Sequence, residues 1–241
     1  MKSEHIFTEN SKGDVGANVN ESVRANVNEN VRANVNGNVR ANTDENIEEK
    51  VKESIEQSSE YKSGIDPDGL FKIEKVLDLL KDLRIFYQIW FHPPLPTIDV
   101  AMEYWKGLPG THCKNLFFRN HKGNRHYLVI YECYHILDIH SLERSLKEGK
   151  LSFASDSRMQ KYLGVSPGSV SPFGLINDRE RHTRLFIDET LREAGQISFH
   201  PNDNRATVVI KGEDFFRFLD YCGNEYQFLS FGFGAIPVKS K

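Results

Sequence analysis

The run Gly164-Val165-Ser166-Pro167-Gly168-Ser169-Val170-Ser171-Pro172-Phe173-Gly174-Leu175 holds three glycines, two prolines and three serines, and no charge. Glycine opens the positive-φ region and allows close backbone approach, while proline fixes φ. This composition predicts a shaped loop and excludes a helix or a central strand. Main-chain N–H groups in such a loop can face an anion or an oxyanion. A plain surface connection is the bland alternative.

Lys114 is the second candidate. The stretch Cys113-Lys114-Asn115-Leu116-Phe117-Phe118 predicts a strand with Lys114, Leu116 and Phe118 on one face and Cys113, Asn115 and Phe117 on the other. A lysine among apolar residues either snorkels to solvent or holds its charge in a cleft, where it can meet a phosphate or a carbonyl oxygen. His200 closes a strand pattern and enters Pro201-Asn202-Asp203-Asn204, a set of turn formers. An imidazole at that point can donate to a substrate or accept from it. His92-Pro93-Pro94 ends another strand pattern, and Thr97 after it reads as a helix N-cap.

Other chemistries find less support. His112, Cys113, Cys133 and His135 flank one hairpin. Adjacent strand residues point to opposite faces, so a shared zinc ion is not expected, and neither is any cofactor. The three cysteines, Cys113, Cys133 and Cys222, have no paired spacing and no local pattern that would lower a thiol pKa. There is no Walker loop, no Gly-x-Ser-x-Gly and no His-Glu-x-x-His.

The elements that must position these residues follow from pattern. Asp66 caps a helix that Pro67 opens, with Leu70, Ile73, Val76, Leu77, Leu80 and Leu83 on one face. Phe86–Phe91 reads as a strand, and Thr97 caps a helix through Lys106. Lys114–Arg119 and Tyr127–Tyr134 form a hairpin about His121-Lys122-Gly123-Asn124. Helices are expected near Ile139–Lys147 and Ser157–Leu163. Strands follow at 184–188, 196–199 and 206–210, then a helix over Phe215–Tyr221 and a strand over Tyr226–Phe231. Strands outnumber helices in an irregular alternation. The fold class is α+β, with a mixed, strongly curved, barrel-like sheet and surrounding helices.

Charge divides the 241 residues. Residues 1–66 carry 8 basic and 13 acidic side chains and two aromatics, Phe7 and Tyr61. Ala17–Arg24, Ala25–Arg32 and Ala33–Arg40 repeat an octapeptide of the type ANVNxxVR, too poor in apolar residues for a solenoid. Residues 1–65 are expected to be a disordered, low-complexity region with a frayed charged helix near 46–58, and 235–241 a tail. The domain is expected over 66–234. Residues 67–241 hold 23 basic and 21 acidic side chains, too even a balance to grip long nucleic acid by charge alone. No apolar run is long enough to span a membrane, and no signal or transit pattern opens the chain, so a cytoplasmic location without membrane contact is expected.

Taken in order, His92-Pro93-Pro94 with Thr97, Cys113-Lys114-Asn115-Leu116-Phe117, Gly164 to Asp178, and Phe199-His200-Pro201-Asn202-Asp203-Asn204 with Thr207 resemble the YbaK/prolyl-tRNA-editing family. Within it they are similar to the ProX-type (PrdX) alanyl-tRNA(Pro) deacylases, over roughly residues 67–232. The resemblance implies hydrolysis of alanine from mischarged tRNA(Pro). It implies Lys114 as the pocket lysine required for deacylation. It implies Gly168-Ser169-Val170-Ser171-Pro172 as the loop that holds the aminoacyl end through backbone groups. His200 would line the amino-acid pocket with Asn202 nearby, Asn115 would contact substrate, and Thr97 would sit at the pocket's edge. The implied partners are the aminoacylated 3′ end of tRNA(Pro) and a prolyl-tRNA synthetase, fused or separate.

The chemistry agrees with the residues. A prolyl site cannot exclude the smaller alanine, because a few lost methylenes are worth only about 1–3 kcal/mol, and a second pocket completes a double sieve. An activated ester needs no strong nucleophile. Water can attack while N–H groups around Gly168 hold the oxyanion, and Lys114 either holds the terminal nucleotide or polarises the carbonyl. Two further readings share the fold: a module that docks tRNA or a synthetase without turnover, and a deacylase of Cys-tRNA(Pro).

Overall fold

The structure is a computed structural model, and it describes residues 59–95, 97–230 and 232–233. The chain divides into two units, Met1–Ile55 and Glu56–Lys241, and every described residue falls in the second. The octapeptide repeats and the charged helix expected near 46–58 lie outside the described residues, as does the tail, whereas residues 59–65, expected within the disordered region, are described and are helical over 59–63.

Helix α1 (Pro67–Asp82) starts as its caps dictate: Asp66 accepts from the Gly69 N–H at 3.0 Å, and Pro67 takes the first turn. Its buried stripe is Ile73, Val76, Leu77 and Leu80, with Leu70 and Leu83 packed at the margin. Packing reaches back beyond Asp66, since Tyr61 and Ile65 also join the core. The next elements are β1 (Tyr87–Phe91), α2 (Ile98–Trp105), β2 (Thr111–Arg119) and β3 (His126–Glu132). After the short β4 (His135–Ile136) come α3 (Ile139–Leu146), β5 (Ser152–Phe153) and α4 (Asp156–Leu163). Then follow β6 (Thr183–Asp188), β7 (Gln196–Phe199), β8 (Ala206–Lys211), α5 (Gly212–Cys222), β9 (Tyr226–Leu229) and β10 (Gly232–Phe233).

The large sheet is mixed, in the order β1-β8-β7-β2-β3-β6-β9, and a small pair joins β10 to β4. It does not close, because β1 and β9 are its ends. β3 and β6 are buried along nearly their whole length. Leu128, Ile130, Leu185 and Ile187 face a core shared with α1, α4 and α5. Tyr127, Val129, Tyr131 and Phe186 face a second cluster under Leu142 of α3. Burial on both faces explains their continuous apolar runs. The face assignment of β2 holds: Cys113 and Phe117 enter the first cluster, and Phe118 and Leu116 the second.

One expectation is corrected. The glycine-rich run is irregular only in its first half, and Pro172–Asn177 coils into a 3-10 helix. Pro172 suits its first position, Ser171 accepts from the Phe173 N–H at 3.2 Å, and the short i→i+3 ladder tolerates the glycine.

Candidate active site

β2 is bonded to β3 over Cys113–Arg119, but its other edge has two partners with a gap between them. β7 pairs in parallel at Thr111 and His112, and β5 pairs at Phe118 and Arg119. The Cys133 N–H bonds the His112 carbonyl on the β3 side, and the Ala154 N–H bonds the Phe117 carbonyl on the opposite side. By the alternation of a strand, the main-chain groups of Asn115 also turn toward that opposite edge. No strand pairs with Asn115 there among the described residues.

The gap opens on a cavity of about 480 Å³. Thr97, Lys114, Asn115, Gly168, Val170 and His200 all line it, together with Leu95, Trp105, Tyr131, Phe153 and Met159. Lys114 is half-buried, with its Nζ 5.8 Å from the centre of the Tyr131 ring. Among the described residues no carboxylate pairs with it. Asn115 Oδ1 and Trp105 Nε1 are buried atoms without a hydrogen-bond partner among the described residues.

The glycine-rich loop meets this cavity through a turn. Ser169 N–H bonds the Ser166 carbonyl at 3.0 Å, with Pro167 and Gly168 at the corner and φ +83° at Gly168. That is the backbone of a type II turn, which wants proline first and glycine second. Pro167 and Gly168 therefore project into the cavity wall. Ser169, Ser171, Pro172 and Asn202 do not line the cavity. Ser169 Oγ accepts from the Asn204 N–H at 3.1 Å, and Asn202, at φ +64°, donates from Nδ2 to the Phe173 carbonyl at 3.3 Å. The Pro201–Asn204 turn thus clamps the loop from behind, and these four residues hold the loop's shape.

His200 faces the cavity in a set tautomer. Its Nδ1 lies 2.8 Å from the Ala206 carbonyl, which can only accept, so Nδ1 carries the hydrogen and Nε2 is left as an acceptor. Burial lowers its pKa. His92, expected to terminate β1, is buried behind it. His92 donates from Nδ1 to the Pro93 carbonyl and accepts at Nε2 from the Thr207 hydroxyl, each at 2.9 Å. Thr97 caps α2, accepting from the Val100 N–H at 3.4 Å. His112 stacks on Trp105 with ring centres 4.9 Å apart, which fixes one cavity wall. Sequence reasoning missed Trp105, Tyr131 and Phe153, since nothing local separates a lining aromatic from a core one.

The buried histidines give the fold a pH dependence. Burial, with smaller contributions from neighbours, holds His92 at about 4. Burial and then the nearby His182 and Arg158 hold His126 at about 4 as well. Unfolded histidine titrates near 6.5, so between these values the unfolded chain binds more protons. Stability is complete above about pH 6.5 and falls as the pH drops toward 4, by about 3 kcal/mol for one such ring. Urea midpoints should fall over this interval, and His126→Gln should flatten the fall. A constant wild-type midpoint would mean the folded rings already bind protons.

A mixed sheet with a cleft at an interrupted edge, and an amide, a lysine and a glycine turn converging on it, forms a candidate site for a small ligand. The family model for the aminoacyl-tRNA editing domain matches residues 92–218, just over half the chain, and the chain belongs to that family. It is 36% identical over 154 residues to the prolyl-tRNA editing protein ProX of Acetoanaerobium sticklandii, covering 64% of this chain and 94% of that protein. It is 30% identical to the prolyl-tRNA synthetase associated domain-containing protein 1 of Bos taurus, covering 63% of this chain and 91% of that protein. A crystal structure described as a candidate trans-editing enzyme for prolyl tRNA synthetase has the same fold. It superposes with a TM-score of 0.52 at 19% identity, covering 71% of this chain and all of that one.

Proposed function

We propose that the protein is a prolyl-tRNA editing enzyme that hydrolyses the ester of alanyl-tRNA(Pro). The observation that carries this is the convergence of Lys114, Asn115, the Pro167-Gly168 turn and His200 on one largely apolar cavity. Family membership and the likeness to the ProX protein support the substrate class.

In this reading the alanyl methyl group packs on apolar wall residues such as Leu95, Ala101 and Val170. The substrate's α-ammonium donates to Nε2 of neutral His200. Water attacks the ester carbon, and negative charge develops on the carbonyl oxygen. The main-chain N–H of Gly168, the one the turn leaves unbonded, and the Lys114 ammonium stabilise that charge in a largely apolar site. The bond to the ribose oxygen then breaks, giving free alanine and the tRNA hydroxyl. The aminoacyl ester is already activated, so this set needs no protein nucleophile. Most of the affinity for the body of the tRNA would come from a tethered or separate synthetase, through effective concentration.

The test uses tRNA(Pro) charged separately with alanine, cysteine or proline, with ester loss followed against the buffer rate. Acceleration for alanine alone is expected. Acceleration for cysteine alone would move the substrate to Cys-tRNA(Pro). No acceleration for any ester would sink the deacylase reading in favour of a docking module.

A further inference from the structure

Among the described residues, nine large apolar or aromatic side chains are substantially exposed, and of these only Phe153 lines the cavity. A lone exposed aromatic needs no explanation. Three features set this one apart. The residue is 60% exposed, yet one face of its ring is backed by Phe118, itself 1% exposed, with ring centres 4.8 Å apart and planes at 24°. Its backbone is held on both sides of the ring: Ser152 and Phe153 pair with Arg119 and Phe118, and the Ala154 N–H bonds the Phe117 carbonyl at 2.8 Å. The paired residues Phe118 and Phe153 also share their sheet face with Leu116 and Lys114. The result is a fixed flat surface with one open side, joined by an apolar step to the lysine.

We propose that Phe153 is the platform on which the unpaired terminal nucleobase of the aminoacylated RNA stacks. This rests on the editing function proposed above. Four residue steps along an extended strand take Lys114 to Phe118, about 13 Å between Cα atoms. That interval leaves room for a ribose between a base on Phe153 and an ester beside Asn115 and Gly168. Leu116, half-buried between them, offers the sugar an apolar floor. Phe153 has no hydrogen-bonding group, so it holds a base by its face, and the contribution tolerates any base. Such contact suits a domain whose near-neutral charge gives it little hold on the phosphate backbone.

The test is the binding of an unacylated acceptor-stem hairpin that ends in single-stranded CCA, beside the same hairpin with an abasic terminal residue. The two are measured by calorimetry against wild type, Phe153→Ala and Phe153→Trp. Wild type should bind the intact end about tenfold tighter than the abasic end or better, a scale set by base–aromatic stacking. Phe153→Ala should erase that difference and Phe153→Trp should keep it. The side chain is exposed, so both variants should fold, and circular dichroism checks this. Discrimination that survives in Phe153→Ala, or is absent in wild type, would overturn the proposal. Binding needs no hydrolysis, so a wild type that prefers the base but cleaves no ester would uphold the platform and sink the deacylase. Hydrolysis that is blind to the base and to Phe153 would do the reverse.

Discussion

Lys114→Ala is expected to lose deacylation almost completely while keeping its fold. Lys114 is half-buried at the interrupted edge of β2, and among the described residues no carboxylate pairs with it. Its aromatic contact among the described residues, 5.8 Å from the Tyr131 ring centre, is worth at most about 1 kcal/mol at a partly exposed site. Removing it therefore costs little stability. The loss falls on the charge that meets the developing oxyanion or the terminal nucleotide, and groups in that role are worth about 10²- to 10³-fold in rate. Lys114→Arg keeps the charge with a planar fork in place of a compact ammonium, and should recover only part of the rate. Single-turnover ester loss and a thermal melt measure the two effects separately. An alanine variant with near wild-type turnover would remove Lys114 from the mechanism.

Gly168→Ala is expected to lower the rate about a hundredfold with a modest loss of stability. At φ +83° an L side chain is strained by about 1–2 kcal/mol. An added Cβ would also stand 3.2 Å from Asn204 Nδ2, so the turn or its clamp must shift. Either shift moves the Gly168 N–H proposed as an oxyanion donor, and a donor displaced by a fraction of an ångström is largely lost. Gly223→Ala is the matched control. Gly223 has φ +70°, an added Cβ would meet Arg181 at 2.7 Å, and it closes α5 without lining the cavity. It should destabilise the fold and leave the turnover of folded protein unchanged. Equal rate losses in the two variants would mean that Gly168 acts through stability alone.

The elements that sequence reading located share a local cause. Asp66 with Pro67, Thr97 before α2 and the hairpin between β2 and β3 are set by caps, turn residues and periodicity within a few positions. The short strands β4, β5 and β10 left no such signal, because two residues carry no periodicity. The 3-10 helix at Pro172 was hidden for a related reason: the glycine and prolines that exclude a long α-helix do not exclude two tight 3-10 turns.

The site divides along the same line. Sequence alone determined which chemistry-bearing residues exist and what their backbones require. Pro167-Gly168 asks for its turn, Lys114 brings a cation to an apolar strand, and the turn after His200 reverses the chain. These are properties of a residue and its near neighbours. Only the tertiary structure decided which of them meet. The gap in the β2 edge depends on where β7 and β5 stop, and His112 and Ser198, which join β2 to β7, stand 86 positions apart. The tautomer of His200 depends on the Ala206 carbonyl across the turn, and the open face of Phe153 depends on Phe118 behind it. Ser169 and Asn202 join the loop to the Pro201–Asn204 turn, and Ser171 and Pro172 start the 3-10 helix, so none of the four lines the cavity. A strand records which residues alternate, but not which neighbour is missing from its edge, and here the missing neighbour makes the site.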